Sequence, residues 1–180
     1  MINFGDSPLA AATARLATSP VWALWQRLDD ISGLLLEIPA HVYTAPVDAR
    51  VSGTLGAHVR HCLDHVSALL SSEPSTALSY DRRSRGTSIE ADRTAALQQI
   101  LRLKAGLERW ASRSLDEPVR VASQIDLSGG SIVAWSTLGR ELAFVLSHTI
   151  HHQATMAAVL ALHGVGAPDG FGYAPSTPRH

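Results

Sequence analysis

Two apolar segments of this chain each carry histidines four residues apart: His61 and His65 in GAHVRHCLDH, and His148 and His152 in ELAFVLSHTIHHQATM. At roughly 100° per residue, positions four apart share one face of a helix. Six of the nine histidines fall in these segments (His58, His61, His65, His148, His151, His152), where a helix ordinarily presents Leu, Ala or a surface charge. Imidazoles buried together are costly unless they share an ion or polar partners. The two faces are therefore expected to meet inside a helical core, in the pattern of a metal site built between helices.

The remaining periodicity supplies the helices. Ser19-Pro20 offers an N-cap followed by proline at the first helical position, and Ser7-Pro8 can open a short preceding turn. Leu24, Leu28, Ile31 and Leu35 then repeat at helical spacing. The spacing predicts four long helices near residues 20–38, 54–71, 88–114 and 136–163. The third is introduced by a capping box, Thr87-Ser88-Ile89-Glu90, and the fourth by Ser136 as cap. Between them Val119, Val121, Ile125 and Leu127 alternate before Ser128-Gly129-Gly130, so a short β-hairpin is compatible with that stretch. The expectation is an all-α four-helix bundle with this hairpin as an addition, one domain over residues 1–180, and an irregular Gly/Pro-rich tail over about 164–180.

Composition narrows the function. A net charge of −1 gives no general attraction to nucleic acid or to an anionic membrane, and no run of 18 apolar residues occurs. Cys62 is the only cysteine, which excludes an internal disulfide and a multi-cysteine zinc module. A cytoplasmic protein acting on a small molecule is expected, with a homodimer compatible.

The residues themselves define the candidate site. On the last helix Glu141 lies two turns before His148 and about 20° from it, and His152 lies about 40° from His148. His58, His61 and His65 share an arc of about 60° on the second helix. Neutral imidazoles hold a divalent ion while leaving positions open for water or substrate. Glu141 and His65 are candidate catalytic residues, Glu141 as proton acceptor, further ligand or imidazole partner. Cys62 reads as a packing residue, Asp64 as a surface one, and Trp22, Trp25, Trp110 and Trp135 as core or pocket walls. A di-iron bundle is disfavoured because the Glu-x-x-His pairs it needs are missing, and haem would leave the third histidine unexplained.

The stretches SGTLGAHVRHCLDH and RELAFVLSHTIHHQATMAAVL resemble the DinB/YfiT-like metalloenzyme family, and the resemblance runs in order from about Val21 to Tyr173, including YDRRSRGT and GFGYAPST. It implies a four-helix bundle with His61, His148 and His152 as metal ligands, and His58, His65 and His151 as accessory residues. The family's commoner HHRGQ stands here as HHQAT, so its Arg and Gln have no counterpart. The resemblance also implies a divalent ion, zinc or nickel first and iron or manganese next. A low-molecular-weight thiol would be the cosubstrate, its carboxylates gripped by Arg82, Arg83 and Arg85. The expected activity is a metal-dependent thiol S-transferase or a related isomerase or hydrolase. The alternative is a non-catalytic metal-binding or stress-response bundle.

Overall fold

The computed structural model describes residues 19–47, 53–73, 75–81 and 86–178. Its helices are α1 (Pro20–Glu37), α2 (Leu55–Leu70), α3 (Ser88–Ala91), α4 (Arg93–Trp110) and α5 (Leu138–Leu162), with a 3-10 turn at Ala40–Tyr43. Each long helix begins where a side-chain oxygen can satisfy an orphan amide. Ser19 Oγ accepts from Val21 N at 3.3 Å, Thr54 Oγ1 from Ala57 N at 3.2 Å, Asp92 Oδ1 from Thr94 N at 2.7 Å and Thr137 Oγ1 from Arg140 N at 3.2 Å. α5 ends before Gly164, whose φ of 71° suits a residue without a Cβ.

The long helices enclose one core. α1 and α2 each pack against both α4 and α5, and Leu24, Leu28, Ile31, Val59, Leu63, Ile100, Leu107, Leu142 and Met156 are fully buried or nearly so. The predicted repeat of α1 is thus its buried face. The tail folds back so that Phe171 is buried and Gly172 lies against the backbone of α5 at Ala154, while Tyr173 is exposed.

The all-α four-helix bundle is corrected by a two-stranded antiparallel sheet, β1 (Pro118–Gln124) and β2 (Ser131–Thr137), paired from Pro118 with Thr137 to Gln124 with Ser131. Alternation of β-branched residues outweighs helical propensity here. The turn is fixed by Asp126, whose Oδ1 accepts from Ser128 N, Ser128 Oγ and Gly130 N at 2.9, 2.7 and 2.9 Å. β2 is exposed along nearly its whole length, so Trp135, expected in a core or pocket wall, is 73% exposed. Ser136 belongs to β2, and Thr137 caps α5 in its place.

The predicted third helix is broken in two. Asp92 adopts φ −125° and ψ 110°, ending α3 and capping α4 with its carboxylate. The Thr87 capping box is not formed, because Thr87 makes no side-chain cap bond and the Glu90 carboxylate pairs with Arg60. A charged partner holds Glu90 better than a neutral amide would. The Ser7-Pro8 turn lies outside the described residues.

α3 is locked to α2 at Gly56. A Cβ there would collide with the Glu90 carbonyl, and Tyr43 nearby donates its hydroxyl to Ile89 O at 2.5 Å. Alanine in place of glycine usually strengthens a helix by about 1 kcal/mol. Gly56→Ala is expected instead to weaken the fold by about 1–3 kcal/mol, the range of overpacking, read as a lower denaturant midpoint. An unchanged or higher midpoint would refute the close approach.

Candidate metal centre

The neighbouring faces of α2 and α5 bring five imidazoles together. His61 Nε2 and His148 Nε2 stand 3.0 Å apart, and His58 Nδ1 and His152 Nδ1 stand 3.3 Å apart. The His148 ring lies 4.1 Å from that of His65 at an interplanar angle of 28°, and His61 lies 4.6 Å from His152, centroid to centroid. His65 is buried, the other four are half-buried, and His151 is exposed on the rim, edge-on to His152.

Hydrogen bonding sets one tautomer. His65 Nδ1 lies 2.9 Å from the His61 carbonyl oxygen. A carbonyl only accepts, so Nδ1 carries the proton and Nε2 of the neutral ring keeps its lone pair. Metal-binding histidines commonly donate their second nitrogen to such an acceptor. Between His61 and His148, two ring nitrogens at hydrogen-bond distance are satisfied by one proton, or by two lone pairs turned to a shared cation.

The cluster suits an ion. One ligand atom each from His61, His65 and His148 lie within 4.8 Å of one another, while tetrahedral zinc with Zn–N of about 2.0–2.1 Å sets its ligands roughly 3.3 Å apart. Among the described residues this grouping sets His65 with His61 and His148, and His152, expected as the third ligand, lies one turn along, 4.6 Å centroid to centroid from both His61 and His148, and faces His58. Burial first, and then the like charges His148, His58, His151 and His65 would carry, push the His152 pKa down to about 3. It is held as the neutral imidazole a metal requires.

Glu141 is 5% exposed and stands behind the cluster. Its Oε1 accepts from Ser136 Oγ at 2.6 Å and its Oε2 from Tyr80 Oη at 3.0 Å, with Arg140 Nη1 farther off at 3.9 Å. Tyr80 stacks on His65, centroids 5.3 Å apart and planes within 5°. Burial, and then the charge of Glu141, raise the Tyr80 pKa well above its usual value, so the phenol stays a donor. Phe144 closes the wall, 5.1 Å from Tyr80 and 5.8 Å from His148.

Sequence reasoning missed Tyr80 and Phe144 and took Ser136 only for a cap. Phe144, four residues before His148, was within reach of the helical wheel. Tyr80 carries no local signal, because Leu78, two residues before it, is bridged to Val121 of β1, far along the chain. Arg82, Arg83 and Arg85 lie outside the described residues. Cys62 is fully buried, and burial raises its thiol pKa, so it packs the core. Asp64 is half-buried and paired with Arg60 at 2.6 Å, where a plain surface position was expected.

No protein-family model and no solved structure matches the chain. It is similar to FK506-binding protein 5 of Rhizopus delemar, 38% identical over 106 residues, which cover 58% of this chain and 28% of that protein. The chain thus corresponds to less than a third of the length of the curated relative it matches. This finding overturns the DinB/YfiT-like resemblance and its classification as a transferase of that family. The thiol S-transferase reading, the related isomerase or hydrolase using a metal-activated thiol or water, and the stress-response bundle offered as alternative are set aside with it. The implied chemistry rested on family membership, and the similar protein bears a different name.

Proposed function

We propose that the chain carries a divalent metal ion, zinc or nickel first, on its imidazole cluster, and that it serves in the chemistry of FK506-binding proteins, as a prolyl-peptide isomerase or a chaperone-like part of one. The metal is supported by one observation above all: nitrogens of His61, His65 and His148 converge from two helices, with the His65 tautomer set for coordination. His61, His148 and His65 would hold the ion, with His152 beside them as a further neutral ligand. When bound, such an ion supplies Lewis-acid polarisation and open positions for a small ligand. The isomerase class is supported by the 38% identity, which extends over 28% of the relative.

Each half has its own test. Protein purified without an affinity tag should contain about one zinc or nickel per chain by elemental analysis, and a metal-free preparation that takes up neither on titration would sink the metal. Titration with FK506, together with cis–trans exchange of a proline-containing peptide followed by NMR, tests the second half. Neither binding nor acceleration would end it.

A further inference from the structure

The hairpin buries little of itself, yet both of its strands are hydrogen-bonded to the chain around Tyr80 and Glu141, behind the imidazole cluster. On its inner edge β1 clips the chain segment before Tyr80. Leu78 N donates to Arg120 O at 2.8 Å, Ala122 N donates to Leu78 O at 2.7 Å, and Gln124 N donates to Asp81 Oδ2 at 2.8 Å. These bonds fix the residues on both sides of Tyr80, whose ring then lies flat against His65. At its far end β2 contributes Ser136, which holds the Glu141 oxygen that Tyr80 does not. Tyr80 is thus tied at its ring, its hydroxyl and its backbone neighbours.

We infer that the hairpin is the backing of the imidazole site, and that Tyr80 is a positioning residue, holding His65 in the one orientation and tautomer that keep its Nδ1 proton on the His61 carbonyl. The parallel Tyr80 ring and the His148 ring both stack on the His65 imidazole and oppose its rotation. With the ring fixed, Nδ1 keeps its bond to the His61 carbonyl. This rests on the metal reading only where it bears on affinity.

The test uses the full ¹⁵N-labelled chain without metal, and long-range ¹H–¹⁵N spectra that report which imidazole nitrogen bears the proton. The wild type should show His65 as a single Nδ1–H tautomer. Tyr80→Ala should leave His65 averaging between both tautomers, and Tyr80→Phe, which keeps the ring and loses the hydroxyl, should fall between the two. Zinc titrated into the metal-free chains should bind roughly 10–100-fold more weakly to Tyr80→Ala, with a shifted visible spectrum when cobalt replaces zinc. His65 as an unchanged Nδ1–H tautomer in both variants overturns the inference, and Tyr80→Phe decides it alone should Tyr80→Ala not fold. A wild type that binds no zinc defeats the metal reading, and the tautomer comparison still decides this one.

Discussion

His148→Ala is expected to abolish stoichiometric zinc or nickel binding while leaving the helical circular dichroism and the thermal midpoint of the metal-free chain nearly unchanged. His148 faces both His61 and His65, so its loss removes the shared partner that brings the other imidazoles to one point. His151→Ala, on the exposed rim, should bind as the wild type does. His65→Ala and His152→Ala then separate the ligand set by geometry from the set the sequence suggested. Retained metal in His148→Ala, measured by equilibrium dialysis, would refute the site.

Leu142→Ala should do the reverse. Leu142 is fully buried on the same helix, one residue from Glu141, and touches the shared core. Truncation in such a place costs about 2–5 kcal/mol, and in a chain of this size each kcal/mol lowers the thermal midpoint by roughly 2–4 °C. A midpoint lower by about 4–20 °C with metal stoichiometry intact is the expected outcome. A loss of less than about 1 kcal/mol would show that the cavity collapses.

Between these variants lies the division of what the sequence makes legible. Leu24, Leu28 and Ile31 repeat at helical spacing and are buried together, because local periodicity and burial share one geometry. The imidazole faces could be drawn from spacing alone, and His61 and His148 do meet. Which third histidine joins them could not, since His65 and His152 both lie one turn from a partner and ring rotation decides. Glu90 misled for a related reason: it can close a capping box locally, but its carboxylate finds Arg60. Tyr80 was hidden altogether, for its position follows from a bridge between residues 78 and 121. The family likeness erred differently, because shared histidine spacing carries chemistry without establishing descent.

His61 and His148 are separated by 87 positions, in a chain whose single cysteine leaves it without a covalent tie of its own. An ion held between them would act as a reversible cross-link. By the chain-entropy reckoning for disulfides, a closure of that length removes up to about 4.5 kcal/mol of freedom from the denatured ensemble. Such a tie, where it stays closed in the unfolded chain, would hold together every element threaded between the two ends, the hairpin included, though the hairpin supplies no ligand. Loading and release of one ion would then set how long the chain survives heat or protease, whatever reaction it performs.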